Sequence, residues 1–257
     1  MVYSFSLLSP VLQALLAGVF AWVMTALGAS LVFFFKNIKE TVMCAMLGLA
    51  AGVMTAASFW SLLLPAENMC ASLGFSPLCV LSGGFFCGGV LLFLLDTAFA
   101  RMRTKITGKR AAMVVFSVTL HNIPEGLCVG VAFGALAYDL PGASLGAACL
   151  LALGIALQNF PEGAAVSLPL RREGASCARA FFWGNLSGAV EPLAAVFGAL
   201  LVLHVRVLLP FALSFAAGAM IYVVAAELLP DAGRKDVTAA FAIIGFTVMM
   251  FMDTVFG

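Results

Sequence analysis

Eight apolar runs of about 20 residues or more, bounded by charges or by Pro and Gly clusters, follow one another over 8–35, 41–65, 76–100, 111–135, 144–168, 180–203, 209–230 and 237–256. Each is long enough to cross the hydrocarbon core of a bilayer as a helix. The charged positions between them are mostly basic: Lys36 and Lys39 after the first run; Arg101, Arg103, Lys105, Lys109 and Arg110 after the third; Arg171, Arg172 and Arg179 after the fifth; Arg234 and Lys235 after the seventh. The even-numbered loops hold only Arg206, so twelve of the thirteen Lys and Arg fall on one side. Because cytoplasmic loops retain Lys and Arg, this alternation predicts eight transmembrane helices with both termini outside. The loops are too short for a soluble domain, so the pattern predicts an all-α polytopic membrane protein in which residues 1–257 form one transmembrane unit. The first run starts near Met1 without a basic leader and ends at Phe35 without a small-residue cleavage site, which reads as a retained span rather than a signal peptide.

Composition agrees: 63% hydrophobic residues, 10% charged residues and a mean hydropathy of +1.13 leave too little polar surface to coat a soluble globule. The net charge is +1, so the basic clusters speak to topology in a lipid bilayer and not to nucleic acid. An internal repeat also shows. Ala50-Ala51-Gly52-Val53-Met54 leading to Leu63-Leu64-Pro65 resembles Ala216-Ala217-Gly218-Ala219-Met220 leading to Leu228-Leu229-Pro230, with one residue of slippage. The two copies lie on spans predicted to run in opposite directions, as inverted repeats do in secondary transporters.

Candidate chemistry sits inside the apolar runs. His121-Asn122-Ile123-Pro124-Glu125-Gly126 in the fourth run and Gln158-Asn159-Phe160-Pro161-Glu162-Gly163 in the fifth are two copies of one pattern. An ionised carboxylate at the centre of a bilayer costs at least ~2.5–3.5 kcal/mol, so an intramembrane Glu calls for a partner or a function. Helical spacing at i, i+3 and i+4 puts His121, Asn122 and Glu125 on neighbouring parts of one face, and Gln158, Asn159 and Glu162 likewise. Pro124 and Pro161 each remove a backbone donor, which is expected to open the helix at Leu120 and Leu157, and the glycines permit close helix approach. Two carboxylates, one imidazole and three amides around one point suit zinc and related divalent ions. Glu191-Pro192 in the sixth run adds a third candidate carboxylate. Glu227 and Asp231, i and i+4, read either as an exit relay or as an interfacial acidic pair; Met54 reads as a soft ligand or as core.

With these residues the chain resembles the ZIP (Zrt/Irt-like protein) family of divalent metal transporters over nearly its whole length, and QNFPEG with the sixth-span Glu looks most like the GufA-like bacterial subgroup. The resemblance implies zinc uptake, with cadmium, iron or manganese tolerated, through a binuclear site between spans 4 and 5. It implies one metal held by His121, Glu125, Gln158, Glu162 and Met54, and a second by Asn122, Glu125, Asn159, Glu162 and Glu191. It also implies an elevator-like movement of spans 1, 4, 5 and 6 against 2, 3, 7 and 8, a homodimer, and a bacterial inner membrane. The transported divalent cation is substrate; no cofactor is implied.

Two departures stand out: Gln158 replaces the His that opens the second motif in many relatives, and the third loop, Arg101 to Arg110, holds no His. His204 is expected at a surface or interface before serving as a ligand. The seven cysteines show no CxxC pairing, although Cys70 and Cys79 flank one outer loop and would pair on an oxidising face. A membrane metalloenzyme and a metal sensor are the competing classes; the enzyme is disfavoured by only two His and no Glu-x-x-His pair.

Overall fold

Ser9 opens the first long helix by accepting a hydrogen bond from Leu12 N at 3.4 Å, and Pro10 takes the first helical position, where a missing N–H costs nothing. The computed structural model describes residues 5–35, 39–103, 110–138, 143–172, 174–204, 206–229 and 234–256. Among these residues there is no strand, and eight long helical stretches follow in order: α1 (Pro10–Phe34), α2 (Glu40–Leu73), α3 (Pro77–Arg103), α4 (Arg110–Ala135), α5 (Leu145–Arg172), α6 (Cys177–His204), α7 (Leu209–Val223) and α8 (Lys235–Phe256). Among the described residues seven stretches are long and apolar enough to cross a membrane, on α1, α2, α3, α5, α6, α8 and α7 with the turn that follows it, so the chain is a polytopic helical membrane protein. Leu12, Leu16, Phe20, Val23 and Leu27 of α1 and Ile243, Val248 and Phe251 of α8 are exposed, as lipid-facing side chains are.

The helices match the apolar runs closely, with one instructive extension. α2 passes the expected end at Pro65 and continues to Leu73, where Gly74 (φ 73°) ends it. A π-turn over Ser58–Leu63 restarts the hydrogen-bond ladder, so Pro65 falls in the first turn of the renewed helix, where proline is tolerated. α7 continues into a second π-turn, Val224–Leu228. Each π-turn begins four residues after the Met that closes a repeat, Met54 or Met220. The one-residue slippage of the repeat falls in these turns, six residues long in α2 and five in α7.

Packing carries the repeat further than the sequence pattern did. The closest helix partners are α1 with α5, α4 with α6, α2 with α8 and α3 with α7. Exchanging α1 with α6, α2 with α7, α3 with α8 and α4 with α5 leaves this scheme unchanged. Atomic contacts obey the same exchange: a Cβ on Gly52 would run into Ala242 O and one on Gly245 into Leu49 O, while a Cβ on Gly218 would run into Phe85 O and one on Gly88 into Phe215 O. α1 and α6 also touch, with Trp22 Nε1 donating to Asn185 O at 2.9 Å.

Candidate metal centre

The site begins with a defect in α6. Pro192 has no N–H to give the preceding turn, and the helix is interrupted at Ala189, which bonds back to Leu186 O. Asn122 on α4 uses the opening: its Nδ2 donates to Ser187 O at 2.9 Å. One turn further along, a Cβ on Gly126 would run into Glu191 O, so the Pro-Glu-Gly glycine is required for α4 to lie directly on the Glu191 backbone.

The second motif makes the same contacts on α1. Asn159 Nδ2 donates to Ala21 O at 3.3 Å, and a Cβ on Gly163 would run into Thr25 O. Ala21 and Ser187, Thr25 and Glu191, and Gly52 and Gly218 are each 166 positions apart (187 − 21, 191 − 25, 218 − 52). The position that carries Glu191 on α6 therefore carries Thr25 on α1.

Between the motifs, Gln158 Nε2 donates to Glu125 Oε1 at 2.6 Å, and Asn159 Nδ2 also reaches Glu191 Oε2 at 2.6 Å. Thr25 Oγ1 lies 3.4 Å from Glu191 Oε1. Asn122, Glu125, Gln158, Asn159, Glu162 and Glu191 are all buried. The amide nitrogens face carbonyl and carboxylate oxygens, which fixes each amide's orientation. Their oxygens are then left over: Asn122 Oδ1, Gln158 Oε1 and Asn159 Oδ1, with Glu125 Oε2, are buried without a hydrogen-bond partner. An unsatisfied buried acceptor is costly, and a group of acceptors without matching donors is the chemistry of a cation site. Among the described residues no three His, Cys, Asp or Glu side chains form a metal-holding group by themselves; the amides lie between the carboxylates. α4 and α5 continue as helices through Pro124 and Pro161, whereas α6 is interrupted at Ala189. Neighbouring helices hold α4 and α5 against Ser187, Glu191, Ala21 and Thr25, whereas in α6 the proline comes one turn after Gly188, a weak helix former.

The His121 backbone lies on α4, while its side chain falls outside the described residues, as do the Glu227 side chain and Asp231. Met54 is fully buried in the apolar cluster that includes Cys128, Val129 and Ile155. His204 is exposed at the end of α6, with Nδ1 2.7 Å from Leu200 O, a local helix-end contact. Cys70 and Cys79 are free thiols, the first buried in the renewed α2 and the second exposed.

Two further carboxylates, which sequence reading missed, fit the helix exchange. Ser61 Oγ donates to Asp253 Oδ1 at 2.8 Å between α2 and α8, and Tyr222 OH donates to Asp96 Oδ2 at 2.9 Å between α7 and α3. Asp96 and Asp253 begin matching Asp-Thr-x-Phe stretches and are as far apart as Gly88 and Gly245, 157 positions (253 − 96, 245 − 88). That repeated tetrapeptide was the available signal.

Comparison with known proteins adds independent information. The family described as ZIP Zinc transporter matches residues 96–253. The chain is similar to "Zinc transporter ZIP11" of Homo sapiens, 37% identical with 97% of this chain and 98% of that protein covered. It is also similar to "Zinc transporter ZIPB" of Bordetella bronchiseptica, 37% identical with 95% and 81% covered, and to "Zinc transporter GufA" of Myxococcus xanthus, 34% identical with 95% and 98% covered.

Proposed function

We propose, from the premise that this chain belongs to the ZIP family and is therefore a transporter and not an enzyme, that it carries zinc into the cytoplasm through a binuclear site between α4 and α5. The observation that carries this reading is the set of buried, unpartnered acceptor oxygens on the two motifs, Asn122 Oδ1, Glu125 Oε2, Gln158 Oε1 and Asn159 Oδ1. One ion is held by His121, Glu125, Gln158 and Glu162 with Met54, the other by Asn122, Glu125, Asn159, Glu162 and Glu191; Glu125 and Glu162 bridge. Relatives named as zinc transporters support zinc as the ion, and cadmium, iron or manganese are secondary substrates.

The ion gives up hydration waters to these oxygens and must leave again, so binding has to be favourable yet modest. Oxygen and imidazole donors without thiolates suit release. Alternating access comes from movement of α1, α4, α5 and α6 as one body against α2, α3, α7 and α8. Mutual packing within the first group supports this, because the contacts that bridge the groups, chiefly α2 on α5 and α7 on α4, are lighter than those of α1 with α5 and α6 and of α4 with α6. The basic-loop alternation supports eight spans with both termini outside, in a bacterial inner membrane, and the carrier works as a homodimer.

Zinc flux into proteoliposomes tests this reading. Glu125→Ala and Glu162→Ala are each expected to reduce flux to the level of protein-free vesicles while the protein stays monodisperse in detergent; flux at the parent rate in either variant overturns it.

A further inference from the structure

Thr25 is one hydroxyl in a long apolar helix, yet three features converge on it. It is fully buried, and its Oγ1 is 3.4 Å from Glu191 Oε1 across the α1–α6 contact. Its backbone is pressed by α5, where only a glycine, Gly163, fits against Thr25 O. Its side chain is pressed by α6, because a Cβ on Gly188 would sit 2.9 Å from Thr25 Oγ1 and 3.0 Å from Glu191 Oε1. These two glycines leave the hydroxyl and the carboxylate facing each other with no room for another side chain between them.

The repeat explains why they meet. Thr25 and Glu191 occupy equivalent positions, so they approach where the two halves of the site come together. We propose that Thr25 is the α1 member of the transport site: a positioning residue whose hydroxyl holds Glu191 Oε1 and so sets where the third carboxylate is presented to the ion. The inference rests on the metal-site reading above and adds a residue to it. The hydroxyl has a second acceptor, Ala21 O, also at 3.4 Å. Its single proton turns toward Glu191 Oε1, since a carboxylate is a stronger acceptor than a peptide carbonyl. Asn159 Nδ2 holds the other oxygen, Oε2, so the carboxylate is fixed from α1 and α5 together.

The test is zinc uptake against zinc concentration in proteoliposomes holding the full chain, for the parent, Thr25→Val, Thr25→Ser, Glu191→Ala, the double variant Thr25→Val with Glu191→Ala, and Glu125→Ala. Thr25→Val keeps the shape of the side chain and removes the hydroxyl. It is expected to raise the half-saturating zinc concentration about three- to tenfold, in keeping with one long hydrogen bond of 3.4 Å, while the maximal rate changes less than about twofold. Thr25→Ser restores the parent value. With Glu191→Ala already present, Thr25→Val adds no further shift. If Thr25→Val fails to reach the vesicles, Thr25→Ala takes its place with the same expectation. An unchanged half-saturation, or the same shift with and without Glu191, overturns the proposal by showing that Thr25 acts only through helix packing. Flux retained by Glu125→Ala overturns the metal-site reading itself, a separate result.

Discussion

On one side of the site, Asn122 donates to Ser187 O and Gly126 lies against Glu191; on the other, Asn159 donates to Ala21 O and Gly163 lies against Thr25. The backbones are laid out alike, and the side chains that finish them are not. One half ends in a carboxylate and the other in a hydroxyl, and the motifs open with His121 in one and Gln158 in the other. The comparison separates two demands on a carrier. Close helix packing needs the Gly of both motifs, and the Asn of each ties it to the opposing backbone. Ion binding needs a particular charge: at the proposed binuclear site a second glutamate at position 25 would give four carboxylates, enough to neutralise two divalent ions, whereas three would leave one positive charge uncompensated and favour release.

The largest effect should come from attacking what the halves share. Gly126→Val and Gly163→Val each drive a branched side chain into an opposing backbone, and both are expected to abolish zinc flux and most monodisperse protein, as measured by size-exclusion chromatography and uptake. A tolerated valine in one half alone would break the equivalence. A smaller, unequal effect should come from the asparagines. Asn159→Ala removes a bond to the Glu191 carboxylate as well as one to the backbone, while Asn122→Ala removes only a backbone bond. The half-saturating zinc concentration should rise about tenfold more for Asn159→Ala, because bonds to charged groups are the stronger ones. The smallest change is expected from Gln158→His, which makes the motif openings equal. It should keep zinc flux within about threefold of the parent, a packing-tolerated change, and move zinc ahead of manganese in a competition series, because imidazole favours zinc more than an amide oxygen does.

Much of this was legible in the sequence because the membrane makes polarity expensive. Apolar runs and loop arginines located the helices, and Glu125, Glu162 and Glu191 identified themselves as carboxylates where few are tolerated. The extension of α2 through Pro65 was hidden because a π-turn is a property of hydrogen-bond register and leaves no residue signature. Thr25 was hidden for another reason. A lone threonine in an apolar helix usually bonds to its own backbone, as this one does to Ala21 O, and only the 166-residue offset sets it opposite Glu191. Asp96 and Asp253 were overlooked although they lie in apolar stretches, since neither stands in a polar motif; their common Asp-Thr-x-Phe context becomes meaningful once α3 and α8 are seen as equivalent. Pro124 and Pro161 stand inside continuous helices, whereas Pro192 follows an interruption at Ala189 that the apolar run around it did not announce.

The central claim, that both halves contribute oxygens to one binuclear site, is tested most directly by the zinc-to-protein ratio of the purified full chain at saturation, measured by equilibrium dialysis with elemental analysis. The account predicts two ions per chain for the parent and none retained when Glu125 and Glu162 are both replaced by Ala. Two ions that persist in that double variant, or a single ion in the parent, would contradict it.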